Sequence, residues 1–199
     1  KRMGRKEKMF IQGKEVQTFG GFYYQTNAKG EAVILGAKGW PEVLIIPEEI
    51  DGHPVTEIGN SAFDTDAVME RVGLAWDKSM RAEQFSAKLA DVAIQQIARE
   101  RIKEVRLPDT IQKIGACAFY YNNALERINF PKALKLIDSC AFANTKLTKV
   151  QLPKDCEVYH EEGDEVWQEH GAFEGCGGYD EDGYIPADSK LCPSRFRGQ

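Results

Sequence analysis

Long apolar runs are missing from this 199-residue chain. None approaches the roughly 18–20 residues that a spanning helix requires, and no segment has the apolar centre of a secretory signal. No membrane insertion is expected. The start, Lys1-Arg2-Met3-Gly4-Arg5-Lys6-Glu7-Lys8, is merely basic and is compatible with a processed or trimmed end, so it does not argue for a cytoplasmic home. Histidine is scarce, at three residues, and no nucleophile stands at a readable spacing from His53. There is no paired CxxC and no HxxxH. Five cysteines are an odd number, which leaves at least one thiol free unless chains pair. Excess positive charge is lacking too, for the net charge is −5 and argues against a nucleic-acid surface. No catalytic residue, metal ligand or cofactor is assigned on these grounds.

What the chain does have is repetition. IKEVRLPDTIQKIGACAF, LERINFPKALKLIDSCAF and LTKVQLP fill residues 102–153, with Pro108, Pro131 and Pro153 spaced by 23 and 22 residues and Phe119 and Phe142 by 23. A period of roughly 20–29 residues is the mark of a leucine-rich-repeat solenoid. Before each proline the apolar positions recur as Ile102, Val105, Leu107, then Leu125, Ile128, Phe130, then Leu147, Val150, Leu152. The last two of each set are two apart, so they share the inward face of a strand and the residue between them points outward. Proline ends the strand because it has no N–H to donate. Ile111 and Ile114, matched by Leu134 and Ile137, and the pairs Ala118-Phe119 and Ala141-Phe142 then fill the far side of the coil. One coil cannot bury such faces alone, whereas stacked coils can.

The combination LxxIxLPxxLxxIGxxAF resembles the BspA-like class of leucine-rich repeats, read in Leu107-Pro108, Ile114-Gly115 and Ala118-Phe119, and again in Phe130-Pro131 and Ala141-Phe142. The second unit departs by placing Asp138 where glycine usually stands, which is tolerable if φ stays negative there. Residues 43–63, VLIIPEEIDGHPVTEIGNSAF, are similar to the opening unit of that family, including the IDGHPV connector, and GAFEGC at 171–176 supplies a fourth Ala-Phe. The resemblance covers about residues 30–63 and 102–176. It implies a β-rich solenoid of about four coils in a bacterial surface or secreted protein of adhesion or host-interaction type.

Three further regions frame the repeats. Residues 1–42 read as an N-terminal β cap, with a hairpin turn at Asn27-Ala28-Lys29-Gly30 and with one of Tyr23 and Tyr24 facing the core by alternation. The solenoid proper is assigned to 43–176. In its first coil the proline-to-Phe distance is five residues longer than in the next, and Asp51-Gly52-His53-Pro54 is the turn that holds the excess. A helical insertion is expected at about 64–101, where Phe85, Leu89, Val92 and Ile97 approximate helical spacing and Asp64 or Asp66 is placed to cap a shorter first helix. Residues 177–199 read as a C-terminal cap or tail.

The outward strand positions form the candidate binding ladder: Glu104 and Arg106, Arg127 and Asn129, Lys149 and Gln151, with Val43 and Ile45 of the first coil making one end apolar. This is a polar, slightly basic strip without a nucleophile–base couple, suited to a protein or glycan ligand. Cys117 and Cys140 occupy equivalent places in adjacent coils and read as buried core residues without a disulfide. Cys156, His160, His170 and Cys176 are zinc-ligand types, but their spacing fits no knuckle. They belong instead to an eight-residue expansion of the last repeat, since Phe142 and Phe173 are 31 residues apart. The sequence therefore predicts a non-enzymatic binding module. The alternative is an intracellular scaffold that recruits a partner through the 64–101 insertion.

Overall fold

A computed structural model of the chain describes residues 9–11, 14–65, 100–147, 150–159 and 171–176. The helical insertion expected at 64–101 lies almost wholly outside the described residues, as do Lys149, His160, His170 and the tail from 177 onward. The strands in chain order are β1 (Met9–Ile11), β2 (Lys14–Phe19), β3 (Phe22–Thr26), β4 (Ala32–Ala37), β5 (Val43–Ile45), β6 (Glu49–Ile50), β7 (His53–Ile58), β8 (Glu104–Arg106), β9 (Lys113–Ile114), β10 (Arg127–Ile128), β11 (Leu136–Ile137) and β12 (Glu157–Val158). Among the described residues no helix is long and apolar enough to cross a membrane.

The coils put their two strand positions into two parallel sheets. β5, β8 and β10 form one, with Leu44 beside Val105 beside Ile128. Leu44 and Val105 are buried, because alternation turns each middle residue inward while its neighbours face out. β7, β9, β11 and β12 form the other, stacking Ile58, Ile114, Ile137 and Val158 into one buried column. Both columns face a single apolar core shared with Ile102, Ile111, Leu125 and Leu134. Residues 150–153 carry no regular strand, so the expected outward strand of LTKVQLP is not seen among the described residues.

A four-stranded antiparallel meander, β1-β2-β3-β4, extends the second sheet beyond the first coil, with β4 running parallel to β7. This is larger than a single hairpin. Its purpose is physical: the end coil would otherwise expose Ile58 and Val55, and Ala32, Ile34 and Tyr24 cover them. The β3–β4 turn closes as the sequence suggests, with Gly30 at φ 77° and its N–H donating to the Asn27 carbonyl at 3.0 Å. Tyr24 is buried and Tyr23 half-buried, and the Tyr24 hydroxyl donates to Asp51 Oδ2 at 3.0 Å. His53 Nδ1 lies 2.8 Å from the Gly30 carbonyl, so this histidine fastens cap to coil. The connector is tighter than its composition suggests. Asp51 and Gly52, at φ 51° and 80°, make a two-residue turn between β6 and β7, and His53 and Pro54 are already in β7.

On the third side of each coil the Ala-Phe turns stack. Phe63, Phe119, Phe142 and Phe173 lie ring on ring at 5.2, 5.3 and 5.3 Å, within 10° of parallel. Backbone bonds hold them in register: Phe63 N–H donates to the Ala118 carbonyl at 2.8 Å, Phe119 to Ala141 at 2.7 Å and Phe142 to Ala172 at 2.8 Å. Two residues before the Phe, Ser61, Cys117 and Cys140 take left-handed φ of 52°, 55° and 50°. That conformation turns the two cysteines away from the core. They are half-exposed thiols, which corrects the expectation that they are buried.

Gly115 is required by contact, not by φ. A Cβ there would meet Asn60 Oδ1 and come within 2.7 Å of the Asn60 backbone nitrogen. Asn60 occupies that space because its Oδ1 accepts from Ala116 N–H at 3.1 Å. One coil further on, Ala116 stands at the position equivalent to Asn60, so there is room for Asp138, whose φ is not positive.

Candidate ligand-binding face

The β5-β8-β10 sheet sets the candidate ladder in register. Val43 stands beside Glu104, which stands beside Arg127, and Ile45 stands beside Arg106. Strand alternation places all five side chains on the outer side, and neighbouring strands are separated by roughly 4.8 Å, so they make one continuous surface. Ile45 is 58% exposed, unusual for a large apolar side chain in this molecule. Arg106 and Arg127 are exposed at 60% and 63%, whereas Glu104 between them is at 18%.

Glu104 is the hub. Arg106 Nε donates to its Oε1 at 2.6 Å, and Arg127 donates to Oε2 through Nε at 3.1 Å and through Nη2 at 2.9 Å. These charge-assisted bonds, Arg106 foremost and Arg127 next, hold the Glu104 carboxyl below its ordinary range. The strip is therefore less basic than a count of its arginines suggests. One carboxylate is shared by two guanidiniums, and Arg127 Nη1 also lies 3.9 Å from Glu126 Oε2, so the positive charge is largely offset while several outward N–H donors remain. An exposed pair of this kind adds little to stability but fixes side chains that would otherwise be mobile. At the sheet's border Lys103 Nζ pairs with Glu42 Oε1 at 3.1 Å.

Asn129 does a different job from the arginines. Its Oδ1 accepts from the Leu107 N–H at 2.7 Å and its Nδ2 donates to the Leu107 carbonyl at 2.8 Å. In the preceding pair of coils the same bond is made by backbone alone, Ile46 N–H to the Arg106 carbonyl at 2.9 Å. The Asn129 side chain thus replaces a ladder bond where β10 ends. Gln151 is exposed, and Lys149 lies outside the described residues. The hub role of Glu104 follows from cross-strand register, and its signal in the sequence is the acid at 104 exactly one period before the base at 127.

Of the four zinc-type residues, Cys156 and Cys176 are described, and His160 and His170 lie outside the described residues. Cys176 is fully buried, with its thiol donating to the Phe142 carbonyl at 2.9 Å and lying 3.2 Å from Thr145 Oγ1. Burial pushes that thiol up to about 12, which makes it a core group and a poor thiolate. Cys156 is also buried, against the Glu157 carbonyl at 3.5 Å. No group of three or more potential ligands is found among the described residues.

Residues 91–162 match the family model described as BspA type leucine-rich repeat region (6 copies). These repeats are BspA-type leucine-rich repeats. The architecture agrees with solved structures that share it. A leucine-rich repeat protein from T. pallidum is 21% identical with a TM-score of 0.51, covering 71% of this chain and 51% of its own. One from Bacteroides ovatus is 21% identical with a TM-score of 0.53, covering 82% and 36%, and one from Bacteroides capillosus is 18% identical with a TM-score of 0.52, covering 83% and 99%. The chain thus spans about half or less of the first two. No curated protein matches it. In BspA-type terms, the two coils carrying Glu104 and Arg127 lie within the matched span, and Val43 and Ile45 precede it.

Proposed function

We propose that the chain is a non-enzymatic binding module whose β5-β8-β10 face docks a protein or glycan, in a bacterial surface or secreted protein of adhesion or host-interaction type. The observation that carries the reading is the juxtaposition of exposed Ile45 with two arginines held in place by Glu104. A fixed guanidinium beside an apolar anchor suits a partner that presents a carboxylate next to an apolar group. Little side-chain entropy is then lost on binding, and arginine is a frequent hot-spot residue. Exposed Gln151 and Asn129, which fastens the end of β10 to Leu107, are further candidate contacts, as is Lys149, which lies outside the described residues. The adhesion role and the surface location rest on the BspA-type family, not on geometry.

The test is binding of the purified chain to an array of extracellular-matrix proteins and glycans, beside the double variant Arg127→Glu/Lys149→Glu. The expected result is selective binding that falls at least tenfold in a variant that keeps the wild-type circular dichroism spectrum, a loss of about 1.4 kcal/mol or more. Binding that survives the reversal excludes the ladder. Binding that survives it yet disappears when 64–101 is replaced by a short linker favours the scaffold alternative.

A further inference from the structure

The two half-exposed cysteines have no part in the ladder, and the fold holds them side by side. Cys117 N–H donates to the Ser139 carbonyl at 2.9 Å and Phe119 N–H to the Ala141 carbonyl at 2.7 Å, so the backbone bonds bracket Cys140. The Phe119 and Phe142 rings next to them stack at 5.3 Å with an interplanar angle of 6°, which registers the separation of the two coils. Neighbouring hydrogen-bonded strands lie roughly 4.8 Å apart, inside the roughly 4.4–6.8 Å that disulfides span between Cα atoms. Both cysteines have the same left-handed backbone, φ 55° and 50°, so their Cα–Cβ bonds run side by side, and closing the bond requires a local shift that brings the Cβ atoms within the roughly 3.5–4.5 Å of a disulfide. The corresponding positions in the outer described coils are Ser61 and Gly171, so among the described residues the two thiols are the only pair in that column.

We propose that Cys117 and Cys140 form a thiol–disulfide exchange site that takes a neutral or cationic low-molecular-weight disulfide and closes as a Cys117–Cys140 bond between neighbouring coils. Cys117 is the attacking group. The neighbouring Cys140 thiol favours the thiolate at Cys117, while Cys140, beside that sulfur and with its own thiol donating to Glu174 Oε2 at 3.8 Å, keeps its proton. The Cys117 thiolate attacks one sulfur of the disulfide RSSR, forming a mixed disulfide and releasing RS⁻, which is protonated by water. Cys140, 3.8 Å from Glu174 Oε2, gives its proton to that carboxylate or to water and attacks the Cys117 sulfur. The second RS⁻ leaves and is protonated in turn. Two thiols lose two electrons and two protons, and RSSR is reduced to two RSH.

The charge around the pair selects the partner. Asp64, Asp138 and Glu174 all act on Cys117. Three carboxylates repel an anionic disulfide and attract a cationic one, a bias that salt weakens.

The experiment exposes the reduced full-length chain to cystamine, which is cationic, or to glutathione disulfide, which is anionic. Free thiols are then trapped with iodoacetamide and the product is digested with trypsin. The expected product links peptides 114–127 and 136–146, which end at Arg127 and Lys146, with a loss of two hydrogens. Cystamine should form it roughly tenfold faster than glutathione disulfide at low salt, with the gap closing at high salt. The Cys140→Ser variant should stall as a mixed disulfide on Cys117. The proposal is overturned by absence of the linked peptide, by links made instead through Cys156, Cys176 or Cys192, or by equal rates with the two disulfides at low salt.

Discussion

At single residues, the coil-to-coil distance decides what a position tolerates. Gly115 shows this most sharply, because a methyl group there would meet the backbone of Asn60 and Gly59, which has no rotamer by which to yield. Gly115→Ala is expected to lower the unfolding free energy by about 1–3 kcal/mol, as overpacking of a tight interior does, read as a shift of the urea midpoint with unchanged slope. An unchanged midpoint would mean that the first coil slides freely over the second. The family pattern flags this glycine, but the reason for it was not legible in the sequence, since it depends on Asn60 reaching over from 55 residues away. The same limit applies to Cys117 and Cys140. Their spacing announces equivalent places in adjacent coils, and small apolar residues usually lie inside, yet the left-handed turn before Ala-Phe rotates both to the surface. Periodicity reports which residues correspond, not the φ of the place they occupy.

The β8–β10 pair shows how an element converts alternation into a charged surface. Inward Val105 and outward Glu104 and Arg106 follow from alternation alone, so this much of the candidate site was legible. The clamp was not, because Glu104 meets Arg127 across the sheet and Arg106 along its own strand, and only register brings all three together. The clamp has a pH signature. Glu104 titrates below its unfolded value of about 4.3, so its stabilising contribution is fully present above that pH and is lost as the pH falls through the folded value. Glu104→Gln removes the titration. The stability difference between wild type and Glu104→Gln is therefore expected to be constant from pH 7 to about 5 and to shrink as the pH drops below about 4.3. Urea melts at half-unit pH steps measure it, and a difference that grows on acidification would show that the arginines do not depend on this carboxylate.

Over the whole molecule, stability is a sum of coil-to-coil interfaces, and the Phe column is where those interfaces are most alike. Its four members were legible as Ala-Phe pairs, whereas the extent of the N-terminal meander was not, because β2 is the polar run KEVQTF and takes its place by pairing with β3. A quasi-linear stack makes position matter. Among the described residues Phe119 stacks on both Phe63 and Phe142, while Phe173 stacks on Phe142 alone and meets Phe130 edge-on at 6.4 Å. Phe119→Ala removes two stacking partners, worth about 0.5–1.5 kcal/mol each beyond buried area, and opens a cavity between central coils. Its expected cost is about 3–5 kcal/mol, with protection from hydrogen exchange lost together at Ile58, Ile114 and Ile137. Phe173→Ala touches a single interface among the described residues. There the amides of Phe142 and Asn144, which donate to the Ala172 and Glu174 carbonyls at 2.8 Å, should exchange faster while Ile58 and Ile114 keep their protection. Hydrogen exchange of the two variants separates local from shared loss, and equal effects on both sets of amides would show one all-or-none unit in place of a chain of interfaces.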